Sequence, residues 1–412
     1  MSVWNILHKS GGRSLADWGI ENPKLTFCSL DNDTLTFEMP VSSINNTPPF
    51  LFGDKIELFK DGVRWFSGTV TALTSIGTVK RDAILYTISG PWWQLENLIF
   101  QDYMMTPVDP TNMASALQPL YSSYTVLFQD NFGNARKNGD QITLTLNYAL
   151  SKGANLVVGT IDPNIYVPNE EAHDLSCADV IRRCCAWTPD VVSHFDYSAW
   201  PPTLNFKKRA NLVNVSFDLN GGFIIQSPKF NPRYDLKPAG IKIYIQHTSR
   251  YVNGTARSWY EVQTAGSGDD GIGCIVMTIP LSANGTGEEK VPVTILSGTP
   301  TTLAQALYAS LSTLHYEGDL LTKEQECSGI LRPGCVVNLS NGPAAWATMN
   351  ALVQTVTEEL VTGETTTHCG PPTQLSLQDL ITLAAAAQSA ANKTGLAAGR
   401  STAGGTVASI AS

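Results

Sequence analysis

One stretch, residues 52–96, limits what this chain can become: FGDKIELFKDGVRWFSGTVTALTSIGTVKRDAILYTISGPWWQLE. In Lys55-Ile56-Glu57-Leu58-Phe59-Lys60 the apolar Ile56 and Leu58 alternate with polar side chains, the period-2 pattern of a strand with one buried face. Asp61-Gly62 follows. Both residues tolerate the positive φ of the preferred hairpin turns, so the chain reverses there. Residues 63–70 return as a second strand, and residues 83–89 supply a third. Gly90-Pro91 ends that run, and Trp92-Trp93-Gln94-Leu95-Glu96 reads as the first turn of a helix with proline near its start. Three paired strands and a helical cap begin a small β-barrel or sheet, with no chemistry in view.

At 412 residues the chain exceeds one ordinary domain, and two or three are expected. Its 43% hydrophobic and 15% charged content is that of an ordered globular protein with a sparsely charged surface, as expected where partners cover much of it. The balance of 27 basic against 36 acidic side chains leaves a net charge of −9. No long basic run is present to neutralise phosphates, which argues against a protein that grips DNA and allows one that DNA passes through. None of the eight cysteines forms a C-x-x-C pair or a Cys/His cluster of zinc spacing, so reduced, buried thiols are expected, with no metal and no cofactor. The N-terminal segment lacks an apolar core of signal-peptide length, and no apolar run approaches the ~20 residues of a membrane span.

Further along, residues 24–39 predict two short strands around Asp31-Asn32-Asp33, and residues 1–22 read as an arm reaching a neighbour. Residues 101–175 read as an inserted subdomain, with MASALQPLY (113–121) helical or turn-like and QITLTLNY (141–148) alternating as a strand. Ser176 caps a helix over residues 177–187. Pro201-Pro202 fixes the entrance of the strand Thr203-Leu204-Asn205-Phe206 and marks an edge or rim. The alternating strand at residues 241–246 opens a second barrel, and Leu303, Leu307, Leu311 and Leu314 share one face of a helix. Near the end come a strand, a Thr-Gly-Glu-Thr turn, a return strand and Gly370-Pro371. Residues 378–392 have helical propensity, and residues 393–412 are a Gly/Ala/Ser/Thr tail expected to lie against another subunit or a neighbouring protein.

The order Gly-Asp, strand, Asp-Gly turn, strand ending Phe-x-Gly-x-Val, strand, Gly-Pro-Trp-Trp-x-Leu resembles the first barrel of phage baseplate hub proteins. These are the late control D family of contractile tails and the related hubs of type VI secretion spikes. The stretch HFDYSAWPPTLNFKKR and the Thr-Gly-Glu-Thr, Gly-Pro-Pro ending are similar to later parts of such proteins. The resemblance implies a mainly β, α+β chain with two tail-tube-like barrels and an inserted α/β subdomain. Its parts would be an arm (1–23), a first barrel (24–100), an inserted helical subdomain (101–199), strands returning to the first barrel (200–235), a second barrel (236–372) and a C-terminal helix with tail (373–412). Gly53, Asp61, Gly62, Gly68, Trp92, Trp93, Pro201, Pro202, Gly370 and Pro371 are the candidate structural or interface positions.

By the same resemblance the chain is a non-enzymatic virion protein, assembled in the host cytoplasm. It would be a homotrimer that adapts a sixfold tail tube to a threefold tip or spike and lets DNA pass during genome ejection. Its partners would be a tail tube or distal tail protein, a spike or tip protein and the tape measure protein, with no specific nucleic-acid binding and no membrane insertion. The alternatives are a tail-associated peptidoglycan hydrolase and a host-surface carbohydrate or receptor-binding module. For the first, Glu170-Glu171 with His173-Asp174 are the available carboxylates, but neighbours in a strand face opposite ways, and a solvated loop is expected instead. His194 near Asp196 and His368 beside Cys369 fail as catalytic pairs on the same ground. For the second, Trp92, Trp93, Trp187, Trp200 and Trp259 could line a sugar-binding face, against their commoner use as core or subunit contacts.

Overall fold

The computed structural model describes residues 3–41, 48–78, 81–107, 117–130, 135–250, 256–267, 273–283, 302–323 and 331–371. Seven strands come first: β1 (Trp4–His8), β2 (Gly11–Ser14), β3 (Glu21–Cys28), β4 (Thr34–Pro40), β5 (Lys55–Lys60), β6 (Val63–Thr78) and β7 (Arg81–Ser89). The Asp61-Gly62 hairpin forms as read, with Lys60 opposite Val63 and φ of 50° at Asp61 and 81° at Gly62. Alternate residues of these strands point into one core, where Phe27, Phe37, Phe50, Phe66 and Tyr86 are fully enclosed. Each such side chain contributes roughly 2–3 kcal/mol of burial. The N-terminal residues are not an arm reaching outward. β1 pairs antiparallel with β5, placing Trp4 opposite Lys60, because Trp4 and Ile6 alternate inward and cover what would otherwise be an open edge.

After α1 (Trp92–Glu96) the middle part of the chain follows: β8 (Asp102–Pro107), β9 (Leu117–Ser122), β10 (Tyr124–Leu127), α2 (Asn138–Ser151), β11 (Val157–Ile161), β12 (Glu170–His173), α3 (Cys177–Ala186), β13 (Val191–Asp196) and β14 (Thr203–Lys208). Residues 141–148 are helix, not strand. The run that alternates as Ile142, Leu144, Leu146 also sets Ile142, Thr145, Leu146 and Ala149 at helical spacing, and it is this second set that is buried. Thr143 and Thr145 donate their hydroxyls to the carbonyls of Gly139 (2.9 Å) and Gln141 (2.8 Å), which accommodates β-branched residues in a helix. Of the segment expected to be helical or turn-like, residues 117–121 lie in β9, paired with β8, and residues 113–116 lie outside the described residues. Ser176 caps α3 as predicted, accepting from the Asp179 N–H at 3.0 Å.

The C-terminal half adds β15 (Val213–Asp218), β16 (Lys229–Arg233), β17 (Gly240–Arg250), β18 (Ala256–Gly266), β19 (Cys274–Ala283), α4 (Leu303–Leu311), β20 (His315–Lys323), β21 (Cys335–Ser340), β22 (Ala351–Glu359) and β23 (Glu364–Cys369). The strands expected to return to the first barrel go elsewhere. β15 pairs with β21 and β16 with β20, while β14 joins β11 and β13. The second expected barrel is divided as well: β17, β18 and β19 form their own sheet, with Ile241, Ile243 and Ile245 alternating into the core and Leu303, Leu307 and Leu311 of α4 buried. β20, β22 and β23 run instead into the N-terminal strands, because β22 lies antiparallel along β3.

A 13-stranded sheet results, ordered β16, β20, β23, β22, β3, β4, β7, β6, β5, β1, β2, with β21 and β15 branching from β22. The chain is mainly β with helices, as expected, but among the described residues no sheet closes into a barrel. Each half instead lends the other the edge that closure would have used. The two ends of the sheet are blunted, by a four-residue strand at β2 and by Pro232 in β16. Among the described residues no helix is long and apolar enough to cross a membrane. The expected C-terminal helix and tail lie outside the described residues.

Gly68 tests this packing. A Cβ there would lie 2.4 Å from the Ser89 carbonyl oxygen and 2.9 Å from both Ile88 Cγ2 and Phe66 Cζ. At Gly53 a Cβ meets nothing within 4 Å, and only the φ of +85° resists it. Gly68→Ala is expected to lose about 3 kcal/mol by chemical denaturation and Gly53→Ala about 1 kcal/mol. Equal losses would contradict the packing described.

Candidate functional site

The residues singled out in the sequence fall into three places. At the sheet's outer end Asp61 ties down the N-terminus: the Val3 N–H donates to Asp61 Oδ1 (2.7 Å) and the Asp61 N–H to the Val3 carbonyl (2.9 Å). Val3 and Val63 remain 58% and 60% exposed beside this turn. Near β5, the Gly53 N–H donates to the Val70 carbonyl next to the exposed Leu51 and Phe52. Gly370, at the far end of β23, donates to the Leu352 carbonyl (2.9 Å) and accepts from Gln354 Nε2 (3.1 Å), with Pro371 following. Gly68, Trp92 and Gly370 are buried, so they shape the strands and present no contact surface. Trp93 and the Pro201-Pro202 entrance lie nearer the surface, although Pro202 is itself enclosed and accepts the Val157 N–H at 2.9 Å.

Sequence reasoning missed the place where the parts of the molecule meet. Arg332, in the turn before β21, puts its guanidinium carbon 4.4 Å from the Phe27 ring centroid and 4.3 Å from that of Trp65. Its Nη2 donates to the Trp65 carbonyl (3.0 Å), and Trp65 Nε1 donates to Glu358 Oε2 (2.8 Å). Strands β3, β6 and β22 are thereby held around one flat cation. Beside it Asp33 Oδ2 accepts from the Tyr197 hydroxyl (2.7 Å) and Oδ1 from the Cys28 N–H (2.8 Å). Burial pushes the Asp33 carboxyl up to about 7 despite these bonds, and it lifts Tyr197 well above its ordinary value. On β13, the His194 ring packs against Gly334, where a Cβ would sit 2.6 Å from Cγ and Nδ1. Burial, with Lys207 nearby, pulls that imidazole down to about 4, and its Nδ1 has no partner among the described residues.

Two further arginines fasten the middle part of the chain. Arg182 on α3 donates to Glu96 (2.6 Å), Asp179 (3.0 Å) and the Leu30 carbonyl (2.9 Å). Arg209 donates to the carbonyls of Leu314 (3.2 Å) and Met349 (2.7 Å). Ser193 completes the join by donating its N–H to Ser29 Oγ and accepting the Leu30 N–H.

The carboxylates weighed for hydrolysis do not sit in a solvated loop. Glu170 is 5% exposed on β12 and pairs with Arg183, whereas Glu171, on the opposite face of that strand, lies 3.9 Å from His173. His368 bonds Asp319 (2.8 Å) at the surface, and its neighbour Cys369 points into the core, where burial raises its thiol. Among the described residues no group of three His, Cys, Asp or Glu side chains is spaced to hold a metal ion.

Two predictions follow from the join. Arg332→Ala empties the space between two rings and removes the donor to the Trp65 carbonyl, and a loss of about 3–4 kcal/mol is expected by denaturation; Arg332→Lys recovers little, since an ammonium cannot fill a flat slot. Full rescue by lysine would reduce the role of Arg332 to its charge. The second concerns pH. His194 and His315 are both held near 4 against an ordinary 6.5, His315 by burial and then by Arg209 and Arg233. The folded chain keeps them neutral, so as pH falls from about 6.5 towards about 4 the unfolded chain takes up protons that the folded chain refuses, and stability declines across that window. Asp33 acts oppositely. With its carboxyl at about 7 folded and 3.8 unfolded, it adds stability that is complete below 3.8 and lost as pH rises through about 7. His194→Gln is expected to lose about 2 kcal/mol less than the unmodified chain between pH ~7 and pH ~4. Parallel pH profiles would contradict a neutral His194.

No family model matches the chain, and no curated protein matches its sequence. Solved structures do match it in fold. The 43 kDa tail protein of prophage MuSo2 from Shewanella oneidensis aligns over 91% of this chain and 99% of its own, at 10% identity and a TM-score of 0.50. The prophage tail protein gp18 from Listeria monocytogenes EGD-e aligns over 94% of this chain and 100% of its own, at 12% identity and a TM-score of 0.50. Over more than nine-tenths of its length, this chain shares the fold of these prophage tail proteins.

Proposed function

We propose that this chain is a structural subunit of a phage tail: a homotrimeric hub that joins a sixfold tail tube to a threefold tip or spike, around the path DNA takes during ejection. The observation that carries this reading is the match of fold over nearly the whole of two prophage tail proteins. Within the chain, the first tube-like unit is read in β1 to β7 and the second in β16, β20, β22 and β23, joined to it through the β3–β22 ladder, with the residues between them packed alongside. Both units are open in the single chain, and in the assembly neighbouring copies complete the wall, giving six such units from three chains. A net charge of −9 on each chain suits a wall along which phosphates slide without being held. The work is assembly geometry and no chemistry is performed. The partners are a tail tube or distal tail protein, a spike or tip protein and the tape measure protein, and the site of action is the virion tail, after assembly in the host cytoplasm. Gly53, Asp61 and Gly62 fix the exposed turns at one end of the first unit, where Leu51, Phe52 and Val63 are offered to a neighbour.

Analytical ultracentrifugation of the purified chain, alone and with its tube and spike partners, tests this. Sedimentation at the mass of three chains is expected. A chain that stays monomeric in every mixture contradicts the hub.

A further inference from the structure

Away from the Arg332 join, a second group of polar side chains has the parts of a nucleophilic site. The turn between β1 and β2 is only Lys9-Ser10, with His8 opposite Gly11, and Gly11 takes the φ of +114° found there. The reversal brings Ser10 Oγ to 3.0 Å from His8 Nδ1. On the other side of the ring, His8 Nε2 lies 3.1 Å from Asp54 Oδ2. Asp54, just before β5, also accepts the Leu51 N–H on Oδ2 (2.8 Å) and Lys9 Nζ on Oδ1 (2.7 Å). A hydroxyl, an imidazole and a carboxylate joined in this order are a nucleophile, its base and the group that orients the base.

The surroundings fix how each part can act. The His8 ring is 6% exposed and stands edge-on to Phe50, with centroids 5.2 Å apart, and to Trp18 at 6.4 Å, so it is held in one plane. Burial opposes the charge on Asp54, but hydrogen bonds from Lys9, the Leu51 N–H and His8 outweigh it and hold that carboxyl down to about 2. An ionised carboxylate can only accept. Nε2 therefore carries the proton of the neutral ring, and the Nδ1 lone pair faces the Ser10 hydroxyl. That tautomer is the one able to take the hydroxyl proton. Ser10 itself is exposed, and beside it a Cβ at Gly11 would meet nothing within 4 Å, so a reagent reaches Oγ from solvent. An exposed hydroxyl has little with which to hold a substrate, so the acyl donor must bring its own activation in a good leaving group.

We propose that Ser10, activated by His8 and Asp54, is an acyl-acceptor site for small activated esters and thioesters. Ser10 Oγ bonds the carbonyl carbon while its proton passes to His8 Nδ1. The bond from that carbon to the leaving oxygen or sulfur then breaks, the leaving group departs with the proton, and Ser10 is left acylated. The site is independent of the tail role, which asks for no chemistry, and rests only on its own residues. The test treats the full chain with a fluorophosphonate, which forms the same kind of bond: Oγ joins phosphorus, fluoride leaves, and the hydroxyl proton goes to the base. Peptide mass spectrometry then locates the label. Ser10 is expected to be labelled in the folded chain about a hundredfold faster than in the same chain unfolded in urea, the contribution of a positioned base. Ser10→Ala, at an exposed position, should remove the label. Asp54→Asn keeps an oxygen for the Leu51 N–H but no longer fixes the tautomer, and should slow labelling about a hundredfold. p-Nitrophenyl acetate should likewise leave an acetyl group on Ser10. The proposal is overturned if folded Ser10 takes no label, if it reacts no faster than in urea, as a trio that only fastens the turn would, or if Asp54→Asn labels as fast as the intact chain.

Discussion

The ladder between β3 and β22, with Arg332 wedged over it, is the contact on which the rest of the molecule depends. Five residue pairs, from Thr355 opposite Cys28 to Glu359 opposite Lys24, join strands more than three hundred residues apart in sequence. Without that ladder each half of the main sheet would end in an open hydrogen-bonding edge lined by Leu25, Phe27 and Val356, a template for wrong partners. The guanidinium between Phe27 and Trp65 adds a directional lock, because a flat cation between two rings tolerates little sliding and its Trp65 neighbour also reaches Glu358 on β22. The middle part of the chain hangs from the same region, through Ser193 bonded to the β3–β4 loop and Tyr197 bonded to Asp33. A single region therefore sets the relative placement of three segments of chain.

Local features were legible in the sequence because local physics decides them. Asp61-Gly62 needed only its own φ preferences, the Ser176 cap only the Asp179 N–H three residues on, and the 241–245 alternation only a face to bury. Residues 141–148 misled because one run of Ile, Leu and Thr satisfies both periods, and the choice was made by packing against α3 and by hydroxyls turned onto the preceding helical turn. The β3–β22 pairing and the route of β15 and β16 could not be read, since nothing in either strand names a partner so distant. Arg332 had no signal of its own: Arg-Pro-Gly reads as a turn, and it is the fold that sets Phe27 and Trp65 on either side.

The candidate positions divide along the same line. Glycines chosen for their turns proved to govern backbone shape, with Gly53 and Gly62 at positive φ and Gly68 where a side chain has no room. Tryptophans chosen as surface aromatics split between core and rim, Trp92 and Trp187 enclosed and Trp93 and Trp200 facing a cleft. Beside the Arg332 cation, His194 is kept neutral and the Cys28 thiol is pushed up to about 12, as expected of groups that serve packing. A chain built this way holds a shape, and it is a shape it shares with prophage tail proteins.

The most direct test of this account is the symmetry and position of the chain in an assembled particle, seen by cryo-electron microscopy at a resolution that traces strands. The account predicts three copies around the tail axis between tube and tip, each with β3 and β22 paired as one continuous sheet. Six copies in a ring, or three whose N-terminal and C-terminal halves are separated along β3, would contradict it.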